Sequence, residues 1–212
     1  SNMISVSYVR QGEQLGLGHP VLMARDLVGD EPFAVMLGDD IIDGSTPCMR
    51  QMINVFESYG GPVVAVQKVP RQDISAYGVI DGEPEGKTGR LFRIRDMVEK
   101  PSPEAAPSDL AIIGRYILTP DVFEALEKTP RDQGGEIQLT NALRDLKESR
   151  PLFGYHVPDF HGNFRFVGHF PLELVKWIAG FPTDGNGFRT LTDGDRLDRT
   201  CIRFLVEFET QS

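Results

Sequence analysis

The clearest chemical feature of the sequence is Leu37-Gly38-Asp39-Asp40, which ends the apolar run Phe33–Leu37. A short continuous apolar run is typical of a strand buried on both faces, as in a parallel sheet covered by helices. Ligands bind such sheets outside the carboxyl ends of the strands, where a carboxylate can hold a hard cation such as Mg²⁺. The alternative is an ordinary strand-to-turn aspartate that bonds its own backbone in an Asx-turn.

A second candidate is the glycine-rich segment from Val9 to His19, which predicts a strand, a loop and a helix start. Glycines remove the Cβ obstacle, so backbone N–H groups here could approach a phosphate or a nucleobase closely. The segment lacks a Walker ending, and the spacing of Gly12, Gly16 and Gly18 does not fit G-x-G-x-x-G, so a tight turn is the alternative. We interpret His19 as a residue of the first helical turn, with a catalytic role as the alternative.

Two further charged segments are candidates for substrate binding. Glu99-Lys100-Pro101 closes a predicted strand with adjacent opposite charges. The lysine is a point charge that suits a phosphate, although exposed strand-end lysines are common without such a role. Glu136 opens the helix predicted around Leu139–Leu146, where the helix dipole favours an acidic residue. It could instead accept hydrogen bonds from sugar hydroxyls.

Composition limits the classes of function. The chain has 212 residues, 25% charged and 40% apolar, which is enough for a folded core in one or two domains. Its formal net charge of −9 disfavours a nucleic-acid partner, because polyanions repel each other. No apolar run approaches the ~18–20 residues of a membrane helix, so we expect no membrane partner. Cys48 and Cys201 lie far apart, which argues against a zinc site or disulfide framework and favours a reducing cytoplasm.

The elements that must position these residues alternate at first between strands and helices. Hydrophobic patterns predict strand, helix, strand, helix and strand, joined by right-handed βαβ crossovers, over residues 4–10, 20–27, 33–37, 46–59 and 62–69. Strands over 77–80 and 91–98 follow, separated by a hairpin-like insertion at Gly82–Gly89. The remaining patterns predict strands over 110–118 and 152–157 and helices over 120–127 and 139–146, with weaker signals for a helix over 172–178 and a strand over 201–208.

Five segments occur in an order that is similar to one known family: VRQGEQLGLGHPVL, GDEPFAVMLGDDIID, SAYGVIDG, MVEKPSPEAAPSDLAIIGRYIL and GGEIQLTNAL. Over residues 5–157 they resemble the bacterial UTP–glucose-1-phosphate uridylyltransferases, or UDP-glucose pyrophosphorylases. The resemblance implies an α/β fold of the nucleotide-diphospho-sugar transferase type, with a mixed, mostly parallel sheet flanked by helices. It also implies that glucose 1-phosphate attacks the α-phosphorus of UTP to give UDP-glucose and pyrophosphate, with Mg²⁺ as cofactor.

The resemblance also implies roles for individual residues on the nucleotide side. Gln11 would hydrogen-bond the uracil edge. Gly16 and Gly18 would shape the pocket for the base and the ribose. Asp39 would ligate Mg²⁺ and count as a catalytic residue.

On the sugar side, the resemblance implies four further residues. The Gly78 backbone and Glu99 would hold sugar hydroxyls. Lys100 would contact the sugar phosphate as a second catalytic residue. Glu136 would contact another part of the glucose.

The sequence departs from the family pattern in two places. Family members begin with a strand and loop resembling G-x-G-T-R…P-K that grips the triphosphate. Nothing like it precedes residue 5, so we expect the first βαβ part of the sheet to be missing from this chain. The family's second Mg²⁺ ligand comes from a late Asp-x-Gly, where this chain has Phe166-Val167-Gly168. The residues that could substitute are Asp159, His161 and His169.

These departures leave competing hypotheses. We expect a nucleotidyltransferase-like domain over residues 3–180 and a divergent tail over 181–212, counted from Met3 because Ser1-Asn2 is typical of a cloning remnant.

Losing one charge-stabilising donor costs about 10²–10³ in rate, and losing the residues that bind the triphosphate costs more, so we expect little or no transfer activity. The alternative class is a non-catalytic sugar-nucleotide binding or assembly module whose exposed sheet edge pairs in a homo-oligomer. Thymidylyl transfer is an alternative within the enzyme class.

Overall fold

The computed structural model describes residues 7, 9, 11–38, 40–42, 46–157, 160–163 and 203–207. The described helices are α1 (Gly18–Met23), α2 (Arg25–Val28), α3 (Cys48–Tyr59), α4 (Asp121–Lys128) and α5 (Leu139–Leu146), with a 3₁₀ helix over Arg71–Ala76. The described strands are β1 (Phe33–Leu37), β2 (Asp40–Ile42), β3 (Val63–Lys68), β4 (Gly78–Glu85), β5 (Leu91–Glu99), β6 (Leu110–Leu118), β7 (Phe153–His156), β8 (Phe160–Asn163) and β9 (Arg203–Glu207). Within this part of the chain, no helix has the length and apolar character needed to cross a membrane.

Seven strands form one mixed sheet in the order β3-β7-β5-β4-β6-β1-β9, and β6 also pairs with β3. Only β1 with β9 and β3 with β7 are parallel pairs among the described strands. Strand β6 is antiparallel to β1, β3 and β4, and β5 is antiparallel to β4 and β7. A mixed sheet is therefore confirmed, but the prediction that it is mostly parallel is wrong for this part of the chain. Every residue of β6 is buried. An antiparallel strand that is buried on both faces has the same continuous apolar run as a buried parallel strand, so the sequence pattern does not reveal its direction.

The predicted order of strands and helices is confirmed in part at the start of the chain. Strands β1 and β3 are parallel to each other because both are antiparallel to β6, which lies between them. The helix predicted over 20–27 is present as α1 and α2, which meet at Ala24 and end at Gly29 with a φ of 66°. Of the strand predicted over 4–10, only Ser7 and Val9 are described, and neither lies in a strand.

The β4–β5 hairpin contains more strand than the sequence predicts. The two strands pair from Gly78 opposite Glu99 to Glu85 opposite Leu91, with an irregularity after Asp81. Residues 82–85, predicted as part of the hairpin-like insertion between two strands, therefore belong to β4. This register places Gly78 and Glu99, the two residues expected to hold sugar hydroxyls, directly across from each other.

The sheet is covered by helices on both faces. Side chains alternate along β1, as the pleat of a strand requires. Phe33 and Val35 pack in a cluster with α1, α2, α4 and α5, whereas Ala34 and Met36 pack in a second cluster with α3. The apolar repeat predicted for α3 is confirmed, because its buried residues lie three and four positions apart at Met49, Met52, Ile53 and Phe56.

The strand predicted over 201–208 is confirmed as β9. It pairs parallel with β1 from Phe33 opposite Arg203 to Leu37 opposite Glu207. Part of the segment expected to be a divergent tail thus adds a strand to the main sheet. The division into 3–180 and 181–212 stays a prediction, and the helix predicted over 172–178 lies outside the described residues.

Candidate substrate-binding site

Gly78 is the point on which two polar side chains converge. A Cβ added to Gly78 would lie 2.7 Å from Thr140 Oγ1, 3.1 Å from Glu99 Oε2 and 3.3 Å from Ile112 Cδ1. The oxygens come from β5 and α5, two elements that are distant in sequence. Any side chain at position 78 would fill the space that these oxygens face, so the position requires glycine. Sequence reasoning missed Thr140, which has no local pattern that distinguishes it from a helix-surface threonine.

Lys100 extends this cluster at the end of β5. Its Nζ lies 4.0 Å from Glu99 Oε1, and the Lys100 side chain is 54% exposed whereas that of Glu99 is 19% exposed. Lys100 has a φ of 45°, a left-handed conformation, and its N–H donates to the Tyr77 carbonyl at 3.0 Å. Such a conformation costs about 1–3 kcal/mol in a non-glycine residue and persists only where the surrounding structure holds it. The hairpin therefore holds an accessible cation beside a largely buried carboxylate.

Glu136 lies in a turn organised by Asp132. Asp132 Oδ1 accepts hydrogen bonds from the N–H groups of Gly134 at 2.8 Å and Glu136 at 2.9 Å, and its Oδ2 accepts one from Gln138 Nε2 at 2.8 Å. The Gln138 side chain and the Glu136 N–H are the main causes that lower the pKa of Asp132, and the charge of Lys100 adds to them. Asp132 therefore favours its ionised form and organises the turn that carries Glu136. The segment Asp132-Gln133-Gly134-Gly135 is a turn signal that could have identified it.

The prediction that Glu136 opens a helix is wrong. Helix α5 begins at Leu139, with Gln138 as its N-cap residue. The Glu136 carboxylate instead accepts a hydrogen bond from Gln138 Nε2 at 2.8 Å. The Asp132 hydrogen bonds close a turn before the helix, which sequence periodicity does not detect.

The glycine-rich loop is held against Glu136 and Ile137. The Gly18 N–H donates to the Ile137 carbonyl at 2.8 Å, and the Ile137 N–H donates to the Leu15 carbonyl at 2.7 Å. A Cβ at Gly16 would lie 2.7 Å from Glu136 Cβ, and one at Gly18 would lie 2.6 Å from the Ile137 oxygen. Close approach within the protein therefore explains both glycines. Their expected roles in a base and ribose pocket stay predictions.

Gln11 and His19 lie near the two ends of this loop. Gln11 Nε2 is 2.8 Å from His19 Nδ1, and both residues are partly buried. The structure thus gives His19 a specific partner, which its position in a first helical turn did not predict. The contact of Gln11 with a uracil edge stays a prediction.

Asp40 and Arg115 hold the carboxyl end of β1. Asp40 Oδ2 accepts a hydrogen bond from the Gly114 N–H at 2.6 Å. Arg115 is 1% exposed and donates to the carbonyls of Leu37 at 2.8 Å, Gly114 at 2.9 Å and Asp40 at 2.5 Å. Both side chains are therefore engaged by the backbone. Sequence reasoning missed Arg115, whose only signal is a charge inside the apolar run IIGRYIL.

The predicted metal ligand, Asp39, lies outside the described residues, as do Asp159, His169 and residues 166–168. His161 lies in β8, which pairs antiparallel with β2 and places Asn163 opposite Asp40. The backbone thus brings one of the segments that could substitute for the missing ligand next to the Asp40 strand. Among the described residues, no group of three His, Cys, Asp or Glu side chains is arranged to hold a metal ion.

Comparison with known sequences identifies the same family across most of the chain. The sequence profile described as nucleotidyl transferase matches residues 1–161. A UTP–glucose-1-phosphate uridylyltransferase of Staphylococcus epidermidis is 45% identical over 176 residues, which cover 83% of this chain and 59% of that protein. One from Bacillus subtilis is 45% identical over 168 residues, which cover 79% of this chain and 55% of the relative. The chain thus spans less than two thirds of the length of these curated relatives.

Solved structures are similar in fold. A UDP-glucose pyrophosphorylase complexed with UDP-glucose has a TM-score of 0.68 and 45% identity, with 72% of this chain and 58% of that chain covered. A UTP-bound UGPase from Acinetobacter baumannii has a TM-score of 0.65 and 36% identity, with coverages of 73% and 53%. The resemblance found from the five sequence segments is confirmed by these similarities, and so is the α/β fold type.

Proposed function

The chain belongs to the nucleotidyl transferase family, and from this premise we propose that it carries the sugar-nucleotide site of a UTP–glucose-1-phosphate uridylyltransferase. In this reaction a phosphate oxygen of glucose 1-phosphate attacks the α-phosphorus of UTP. The bond from that phosphorus to the β-phosphate oxygen breaks, and pyrophosphate leaves with the bonding electrons. The products are UDP-glucose and pyrophosphate.

The observation that carries this proposal is the convergence of Thr140 and Glu99 oxygens on Gly78 beside an exposed Lys100. A carboxylate accepts hydrogen bonds from sugar hydroxyls, and a hydroxyl can donate or accept. An ammonium next to the carboxylate attracts a phosphate. Hydroxyls with an adjacent phosphate are the groups that a sugar 1-phosphate or a nucleotide sugar presents.

Charge neutralisation is the main physical task of this reaction, because both substrates are polyanions and the chain itself has a net charge of −9. Lys100 supplies one local positive charge on the sugar side, and its strained backbone holds it at the end of β5. We propose that this residue binds the phosphate that glucose 1-phosphate contributes. It then remains against the same phosphate in UDP-glucose, so the product should be a suitable binding probe.

We propose Asp39 as the ligand for Mg²⁺. The Asp40 carboxylate is engaged by the Gly114 N–H, and Arg115 donates to the carbonyls of Leu37 and Asp40, the residues that flank Gly38-Asp39. Of the two adjacent aspartates, Asp39 is therefore the one we assign to a ligand. Mg²⁺ prefers oxygen donors and commonly combines one carboxylate with phosphate oxygens and water. When bound, it would neutralise charge on the phosphates.

We also propose a cytoplasmic location. Cys48 is a free, buried cysteine, and burial raises the pKa of its thiol to about 12. Such a thiol is protonated and unreactive at neutral pH. A chain whose two cysteines are far apart in sequence suits a reducing compartment.

Titration calorimetry with UDP-glucose, with and without Mg²⁺, tests the proposed function. We expect Mg²⁺-dependent binding that Lys100→Ala weakens about 10- to 100-fold, since a charge-assisted hydrogen bond contributes roughly 1.5–3 kcal/mol. Lys128→Ala is the matched control, because that lysine is 78% exposed and contacts only Glu124 at 3.9 Å among the ion pairs of the described chain. Absence of UDP-glucose binding by the wild-type chain would overturn the proposal.

Pyrophosphate release from UTP and glucose 1-phosphate should be measured on the same preparation. Phe166, which stands where the family pattern has its second Mg²⁺ ligand, predicts weak release. A rate comparable to that of the curated relatives would contradict that expectation and leave the binding site in place. Binding without release would agree with a sugar-nucleotide binding module.

A further inference from the structure

The hydrogen bond between Gln11 and His19 joins residues eight positions apart across the glycine-rich loop. The loop backbone is already held by Ile137, through the hydrogen bonds of Leu15 and Gly18. Those backbone contacts determine where the loop lies, but they do not determine which way the Gln11 amide faces. The contact of 2.8 Å between Gln11 Nε2 and His19 Nδ1 is the described interaction that does so.

The atoms that face each other indicate the direction of this hydrogen bond. Gln11 Nε2 lies against His19 Nδ1, and an amide nitrogen only donates, so Nδ1 accepts in the ring tautomer that carries its proton on Nε2. With its NH₂ group turned toward His19, the Gln11 amide directs its Oε1 elsewhere. Gln11 therefore offers a ligand an acceptor, together with the second hydrogen of its NH₂ group.

This orientation matters for a pyrimidine base. The Watson–Crick edge of uracil has an N3–H donor between two carbonyls, whereas cytosine has an N3 acceptor beside an amino donor. A fixed Oε1 pairs with N3–H of uracil and faces the lone pair of cytosine N3 unfavourably. Thymine presents the same edge as uracil, because its extra methyl group lies on C5.

We propose that His19 is a positioning residue that fixes the Gln11 amide, so that the site favours uracil-type bases over cytosine. The inference rests on the proposed function and on the prediction, taken from the family resemblance, that Gln11 hydrogen-bonds the uracil edge. It adds to that function a residue that does not touch the substrate. It also implies that the pair discriminates against cytosine and not against thymine.

The test compares the affinities of UDP-glucose, CDP-glucose and dTDP-glucose for the full chain by calorimetry. In His19→Leu, which cannot accept a hydrogen bond, the Gln11 amide can rotate. The preference for UDP-glucose over CDP-glucose should then fall roughly 3- to 10-fold, the value of one hydrogen bond. The ratio of UDP-glucose to dTDP-glucose affinity should stay at its wild-type value. His19→Asn should keep the base preference, because Asn Oδ1 can accept near the position of His Nδ1.

Several outcomes separate this inference from the proposed function. An unchanged preference in His19→Leu would overturn the inference, and so would an equal loss in His19→Asn. His156→Asn, at the end of β7, is the control for changing a partly buried histidine outside the site. If Gln11→Leu binds UDP-glucose with wild-type base preference, the base is read elsewhere and the inference fails while the sugar-side proposal stands.

A measurement without ligand keeps the inference testable if the wild-type chain binds no nucleotide sugar and the proposed function fails. Nitrogen NMR of ¹⁵N-labelled histidine, assigned with His19→Asn, reports which ring nitrogen carries the proton. An unprotonated Nδ1 of His19 whose resonance shifts in Gln11→Leu would support the positioning contact. A protonated Nδ1 in the neutral ring would overturn it.

Discussion

The carboxyl end of β1 and the cluster around Gly78 both bring charged side chains next to backbone, but they use those groups differently. At the end of β1, Asp40 and Arg115 are 5% and 1% exposed and form close hydrogen bonds to backbone groups. Around Gly78, the Glu99 carboxylate contacts Lys100 only at 4.0 Å, and both side chains remain partly exposed. Polar groups engaged by the backbone hold the fold. Around Gly78, oxygens of the partly exposed Glu99 and the buried Thr140 converge on a glycine beside the exposed Lys100, an arrangement that suits a ligand.

The structure therefore ranks the two charged motifs of the sequence differently as candidate ligand sites. Leu37-Gly38-Asp39-Asp40 is the strongest single motif, yet the structure uses Asp40 to hold β1 against β6. The Glu99-Lys100 pair is a weaker signal in the sequence, and it gains chemical meaning because the fold brings Glu99 and Thr140 oxygens to the same glycine, Gly78. Three substitutions test the contrast.

Arg115→Met should have the largest effect, and it should act on stability. The substitution keeps the apolar stem but removes the donor from three carbonyls, those of Leu37, Gly114 and Asp40. A hydrogen bond from a charged donor contributes about 1.5–3 kcal/mol, so we expect the free energy of unfolding to fall by about 3 kcal/mol or more when all three are lost. Urea unfolding measures this, with exposed Arg131→Met as the control. Wild-type stability in Arg115→Met would show that the end of β1 is held by other contacts.

Gly78→Ala should act mainly on binding. The added Cβ would meet Thr140 Oγ1 at 2.7 Å and Glu99 Oε2 at 3.1 Å, so both oxygens must move. We expect UDP-glucose affinity to fall about tenfold while UDP affinity changes little, with a stability loss of about 1–3 kcal/mol from overpacking. Calorimetry with the two ligands and urea unfolding separate the effects. Gly12→Ala is the stability control, because a Cβ there meets nothing within 4 Å. Equal losses of affinity for UDP and UDP-glucose would show that Gly78 does not act on the sugar, which would contradict the prediction.

Thr140→Val should have the smallest effect. Valine keeps the shape of threonine and removes only the hydroxyl that faces Gly78. If this hydroxyl contacts the sugar, UDP-glucose affinity should fall roughly 3- to 10-fold, with UDP affinity and unfolding free energy unchanged. Thr88→Val, at an exposed position of the β4–β5 turn, is the control. A loss of stability without a change in binding would assign Thr140 to the fold, like Arg115.

Sequence reasoning predicted the individual elements better than their arrangement. The apolar repeat of α3 and its end at Gly60, which has a φ of 72°, follow from local periodicity and local turn chemistry. Helix α5 and strand β7 follow in the same way. The direction of β6 between β1 and β3 does not follow, because a strand buried on both faces has the same apolar pattern in either direction.

For the site, the sequence by itself determined which residue types are available: the adjacent Glu99 and Lys100, the glycines of the loop, and Gln11. Only the tertiary structure decided that Thr140 faces Gly78, that Gly16 and Gly18 close on Glu136 and Ile137, and that Arg115 holds the end of β1. Periodicity and turn signals act over a few residues, whereas these contacts join segments that are distant along the chain. Their geometry is determined by strand register and close packing, which no short stretch of sequence encodes alone.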